Sequence, residues 1–158
     1  MILVGDIGGT KTRLARYELR DKKFVRLEVE TFASRDFDEF HETLELFFRE
    51  KNADVSQVCF GVPGPIIAGE AQATNLPWRV EEKTIAKILN VPRVKLVNDL
   101  VATASAIPYL SAEDLCVLYQ GKNSPRSTAP RGVLAPGTGL GQAFLMSNSG
   151  KSQAYPPE

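Results

Sequence analysis

Residues 1–19 limit the fold more than any other stretch. An apolar run, Met1 to Val4, leads into Gly5-Asp6-Ile7-Gly8-Gly9-Thr10-Lys11, after which Thr12 to Leu19 alternate between apolar and polar. Two strands joined by a glycine turn are predicted. Without a Cβ, Gly8 and Gly9 allow positive φ, which would bring backbone N–H groups within reach of a phosphate. Thr10 adds a hydroxyl and Asp6 a carboxylate. A carboxylate beside a polyanion repels it unless a cation lies between, so Asp6 is expected to face Mg²⁺ through water. A tight hairpin with no ligand is the plain alternative. Two other phosphate loops do not fit. A Walker A loop needs Gly at position 10 and a helix after Lys11-Thr12, and a dinucleotide fingerprint needs G-x-G-x-x-G opening a helix.

Charge decides the class of partner. Nineteen basic residues balance nineteen acidic ones, so no net field draws the chain to nucleic acid or to an anionic membrane. A small-molecule partner is expected, with no nucleic acid and no membrane, and a homodimer is left open. Cys59 and Cys116 are far apart, each within a predicted strand, which argues for reduced, buried thiols rather than a metal cluster or disulfide. Asp6 interrupts the first apolar run, so no leader is expected there, and no segment reaches membrane-spanning length. A cytoplasmic protein is the expectation.

Further along, Phe24 to Phe32 predict a third antiparallel strand. Asp36 and Glu39 have capping-pair spacing ahead of Phe37, Phe40, Leu44, Phe47 and Phe48, an amphipathic helix. His41 lies off that stripe, as a solvated surface residue would. Gln57 to Val62 reads as a buried parallel strand ended by Pro63-Gly64-Pro65. A small hairpin is predicted around Gly69, followed by Thr74-Asn75-Leu76-Pro77-Trp78. Glu81 to Leu89 predicts a helix stopped by Asn90 and Pro92. Val94 to Val97 is a fifth strand, running into Asn98-Asp99 and a helix over Leu100 to Ile107. Asp99 thus falls at a strand's carboxyl end and a helix's amino end, where simple helix capping is also natural. Leu115 to Tyr119 is expected to form another strand. Arg131 to Ala135, Pro136, Gly137-Thr138-Gly139-Leu140-Gly141 and Gln142 to Met146 then form a second unit of strand, glycine turn and strand.

Two glycine-threonine turns with a strand-end aspartate between them carry a resemblance. The chain is similar to the bacterial glucokinases, within the superfamily of sugar kinases, actin and heat-shock ATPases. The matching residues are Gly5-Asp6-Ile7-Gly8-Gly9-Thr10, Gly61-Val62-Pro63-Gly64-Pro65, Thr74-Asn75-Leu76-Pro77-Trp78, Val97-Asn98-Asp99-Leu100 with Ala106-Ile107-Pro108, and Gly137-Thr138-Gly139-Leu140-Gly141. Their order and spacing together make the match specific.

The resemblance implies an α/β, ribonuclease H-like or actin-like ATPase lobe. Its mixed five-stranded sheet has three antiparallel strands first and then two parallel ones, flanked by helices. Residues 1–109 would form this first lobe, and 110–158 the opening of a second, truncated lobe. The implied activity is transfer of the ATP γ-phosphate to the 6-hydroxyl of glucose or a similar hexose. Asp99 would be the general base, and Asn98, Asp99 and Glu158 would hold sugar hydroxyls, with Asn75 a weaker addition. Gly5, Asp6, Ile7, Gly8, Gly9 and Thr10, with Gly137, Thr138 and Gly139, would hold the phosphates of ATP, and Asp6 would meet Mg²⁺ through water. The match covers about the first half of a glucokinase, which implies little or no turnover by the chain alone. Two relatives without sugar kinase activity share such a lobe. Sugar-responsive repressors carry a DNA-binding segment ahead of the first phosphate loop, and actin-like assembly ATPases have no need of Asn98-Asp99 followed by Ala-Ile-Pro.

Overall fold

A computed structural model describes residues 1–49, 54–73, 76–121, 129–136, 140–148 and 151–156. The chain forms two compact units, Met1–Asp99 and Leu100–Glu158. In the first, β1 (Ile2–Ile7), β2 (Lys11–Arg20) and β3 (Lys23–Ala33) run as an antiparallel meander. Helix α1 (Phe40–Phe48) leads to β4 (Gln57–Val62), then the short strands β5 (Glu70–Gln72) and β6 (Arg79–Glu81), helix α2 (Glu82–Leu89) and β7 (Val94–Asn98). Strand β4 pairs parallel to β1, and β7 pairs parallel to β4, giving a mixed sheet of order β3-β2-β1-β4-β7. The expected five-stranded sheet is therefore present.

Alternation sorts the sheet into two faces. Leu3 and Ile7 of β1 share a face with Leu14, Phe60, Val62 and Leu96, all buried. Against it pack Phe40, Leu44 and Phe47 of α1, Ile85 and Leu89 of α2, and Ala71 and Val80 of the β5-β6 pair. Phe40 meets Phe60 edge to face at 5.2 Å between ring centres. Trp78, 1% exposed, fills the same core and donates its indole N–H to the Phe37 carbonyl at 3.1 Å. Such a buried donor costs free energy unless it finds an acceptor, so this bond fixes how the loop before β6 enters the core. The Glu82 carboxylate accepts the Leu96 N–H at 2.8 Å, tying the start of α2 to β7. Asn90 ends α2 in the left-handed conformation, with φ of 51°.

The second unit begins with the body of α3 (Asp99–Ala106) and contains β8 (Arg131–Pro136), β9 (Leu140–Asn148) and β10 (Lys151–Tyr155), an antiparallel sheet of order β10-β9-β8. The expected hairpin is its β8-β9 pair. Strand β10 has no counterpart in the sequence expectations. Among the described residues no helix is long and apolar enough to cross a membrane.

Several local expectations need correction. Leu115 to Tyr119 forms no strand, and these side chains are exposed. An apolar run becomes a strand only beside a partner, and these residues join neither edge of the β10-β9-β8 sheet. Cys116 is consequently exposed and Cys59 only half-buried, though burial still raises the Cys59 thiol pKa. The cap of α1 is Glu39 rather than Asp36, which belongs to a 3-10 turn, Ser34–Asp36. The Glu42 carboxylate accepts the backbone N–H groups of Asp38 and Glu39 there. A tight turn does form at Ala68-Gly69, both at positive φ, but the strand after it pairs with β6. His41 is a surface residue, 2.9 Å from the Glu39 carboxylate.

Gly5 is enclosed within the sheet. A Cβ there would stand 2.7 Å from Phe60 Cδ1 and 2.8 Å from Leu14 Cδ2. Gly5→Ala is expected to cost about 1–3 kcal/mol through overpacking. Urea unfolding checks this, with a lower midpoint at unchanged slope as the expected result.

Candidate functional site

The parallel strands β1, β4 and β7 end on the same edge of the sheet, the edge where open α/β sheets bind ligands. Their carboxyl ends carry Asp6 to Gly8, Val62 to Gly64, and Asn98-Asp99. At β4 the chain turns through Gly64, whose φ of 97° suits glycine. The Gly64 carbonyl accepts a hydrogen bond from Asn98 Nδ2 at 3.2 Å. Two of the three strand ends are thereby linked.

The Gly8-Gly9-Thr10 turn is closed by the Gly8 N–H donating to the Lys11 carbonyl at 3.1 Å. Neither Gly8 nor Gly9 takes the positive φ expected of them. Among the described glycines that conformation belongs to Gly64 and Gly69. Gly8 is needed for a different reason, because a Cβ there would lie 2.7 Å from the Lys11 carbonyl oxygen. The turn is braced from the buried side by Ser34, 0% exposed, from the 3-10 turn after β3. Its N–H donates to the Thr10 carbonyl at 3.0 Å and its hydroxyl to the Gly8 carbonyl at 2.7 Å. Since that hydroxyl has one proton, the 3.0 Å contact with Thr12 Oγ1 is a bond donated by Thr12.

Gly5 and Ile7 face the core, and Ile7 is 1% exposed. Asp6, between them, projects from the opposite face, paired in register with Arg13. It stays open to solvent on one side, yet enough protein surrounds its carboxyl to raise the pKa. Partial desolvation is the main cause, the nearby Asp99 carboxylate adds to it, and Arg13 opposes both. Asp6 and Asp99 are thus electrostatic neighbours, and Asp99 sits half-buried at the first position of α3. Both carboxylates are hard oxygen donors whose charges repel, a character that suits Mg²⁺. No cluster of three or more metal-ligating side chains occurs among the described residues. Mg²⁺ takes one or two carboxylates and completes its shell with phosphate oxygens and water.

The structure therefore gathers Asp6, Gly8, Gly9, Thr10, Asn98 and Asp99 in the first unit. Asn75, Gly137, Thr138, Gly139 and Glu158 lie outside the described residues. Sequence reasoning missed Ser34, Thr12 and Arg13. The pairing of Arg13 with Asp6 follows from the hairpin register, but nothing local to Ser34 signals its return to Gly8.

Because the Asp6 pKa is raised in the fold above its ordinary 3.8, the folded state holds this proton more tightly than the unfolded chain. Ionised Asp6 therefore costs stability above that range, and the cost vanishes as pH falls toward 3.8. Asp6→Asn is expected to raise Tm at pH 7 by about 1–2 °C, with the gain disappearing in acid. Thermal melts from pH 3 to 8 check this, and a lower Tm at pH 7 would contradict it.

With this geometry in hand, known proteins are informative. The glucokinase family profile matches residues 3–158. The glucokinase of Nostoc punctiforme is 34% identical over the whole chain, which covers 46% of that protein. The glucokinase of Nostoc sp. is equally 34% identical, with 46% of its length covered. Among solved structures, a glucokinase from an Antarctic psychrotroph superposes with a TM-score of 0.77 at 30% identity, over 99% of this chain and 49% of that one. A ROK family protein from Streptococcus pneumoniae superposes at 0.60 with 18% identity, over 96% and 47% of the two chains. That last likeness concerns the fold alone. The chain spans about half the length of the curated relatives it matches. It belongs to the glucokinase family.

Proposed function

We propose that these residues supply the first phosphate turn and the catalytic base of an ATP-dependent glucokinase, which phosphorylates the 6-hydroxyl of glucose. The observation that carries this is that the carboxyl ends of β1 and β7, with Asp6 and Asp99, lie on the sheet edge that also bears the Gly8-Gly9-Thr10 turn. A sugar hydroxyl is a poor nucleophile until a carboxylate accepts its proton, and Asp99 takes that role. Asn98 and Asp99 hold adjacent sugar hydroxyls. Asn98 is steadied by its bond to Gly64, so the sugar meets a base whose backbone is anchored. Glu158 and Asn75 are assigned to further sugar contacts on the resemblance. Backbone N–H groups of the first turn hold phosphate oxygens, and Gly137, Thr138 and Gly139 are assigned the same task. Mg²⁺, when bound, neutralises phosphate charge, and Asp6 orients it through water. Positioning and charge placement then account for the remaining rate. A cytoplasmic location, where ATP and free hexose are both available, belongs to the same proposal.

The test joins residues 1–158 to the second half of the Nostoc punctiforme relative and follows ADP release with ATP, Mg²⁺ and glucose. Asp99→Asn is expected to lower kcat by about 10²–10⁴-fold while leaving glucose affinity within about an order of magnitude. Turnover that survives the substitution would overturn the assignment, and ATP hydrolysis indifferent to sugar would favour an assembly ATPase. The 158-residue chain assayed alone is expected to turn over at least about a hundredfold more slowly than the fusion, since much of the positioning is absent.

A further inference from the structure

We propose that Ser34 is a positioning residue for the phosphate turn, directing its backbone N–H groups toward the side on which Asp6 lies. This rests on the kinase proposal and extends it to a residue outside every recognised motif. Ser34 lies far along the chain from Gly8, yet it binds two carbonyls of the turn, Gly8 through its hydroxyl at 2.7 Å and Thr10 through its N–H at 3.0 Å. Its hydroxyl oxygen is in turn engaged by Thr12 at 3.0 Å. Ser34 and Thr12 are both 0% exposed, so these bonds form where water does not compete, and losing one leaves a buried polar group unmatched.

The consequence follows from peptide geometry. No cis peptide bond occurs among the described residues, and in a planar trans peptide the N–H points opposite to the preceding C=O. Thr12 pairs with Ile7, so the Ser34-Thr12 contact lies on the buried face of the sheet. Drawing the Gly8 carbonyl to that face turns the Gly9 N–H toward the other, from which Asp6 projects. A turn closed only by the Gly8-to-Lys11 bond could rotate this peptide at little cost. Ser34 removes that freedom before a phosphate arrives, which is preorganisation rather than contact.

The experiment follows the backbone amides of Gly9 and Thr10 by NMR in the 158-residue chain, titrated with magnesium tripolyphosphate and separately with magnesium ATP. Temperatures are held well below each variant's Tm, so that only folded protein is compared. Wild type is expected to show saturable shifts at these amides with both probes. Ser34→Ala is expected to bind about tenfold more weakly, as loss of a buried hydrogen bond predicts. Ser34→Thr, which keeps the hydroxyl, is expected to restore most of the affinity. Thr12→Val removes only the bond to Ser34 and is expected to weaken binding by about threefold. It decides the matter if Ser34→Ala does not fold. A purely structural Ser34 would lower Tm and leave affinity unchanged, which overturns the proposal alone. Absence of any shift in wild type would overturn the kinase proposal and this one together.

Discussion

Everything at the candidate site hangs from β1, whose two edges are paired in opposite senses. Strand β2 runs antiparallel on one side and β4 parallel on the other. With both edges satisfied, the strand cannot slip by one residue without moving Leu3 and Ile7 out of the core and Asp6 into it. Burying an ionised carboxylate among Leu14, Phe40 and Phe60 would be prohibitive. The register that seals the core therefore also determines where the carboxylate stands and where the glycine turn begins.

The same edge concentrates negative charge, which would be a liability in a purely structural domain. Asp6 and Asp99 stand at the carboxyl ends of β1 and β7, which both pair parallel to β4, and partial burial first, with the Asp99 charge second, raises the Asp6 pKa. Arg13 offsets this without cancelling it. Proteins tolerate such local conflict where a ligand resolves it. A divalent cation is a ligand of the required sign.

The architecture was legible in the sequence because each level agreed with the next. Alternation in Thr12 to Leu19 and Phe24 to Phe32, helical period in Phe40 to Phe47, and the strand-to-helix junction at Asp99 all correspond to observed elements. The errors share one cause, which is that a local pattern does not report its partner. Leu115 to Tyr119 has the composition of a strand but pairs with no strand among the described residues. Asp36 and Glu39 have the spacing of a cap, yet Asp36 belongs to the 3-10 turn that Ser34 ties to the glycine turn, and the helix begins at Phe40 with Glu39 as its cap. The site itself was half legible. Glycines and acids can be read from spacing, whereas a serine that braces them from the far end of a meander cannot.

One irregularity in the meander bears on how the chain behaves in a crowded solution. Between Arg16 and Tyr17 the β2-β3 register shifts, so that Arg16 faces Glu28 while Tyr17 faces Arg26, and Leu27 is the extra residue. A bulge of this kind bends and twists the strand that carries it, and here that strand is β3, the outermost of the sheet and, among the described residues, bonded on one side only. Its free edge is interrupted in direction, and the strand carries charge at Arg26, at Glu30 and at Glu28, which pairs with Arg16 of β2. A second flat strand would find neither a straight template nor a neutral one. The irregularity thus acts as a guard against self-association of an eleven-residue strand that would otherwise invite fibrillar stacking.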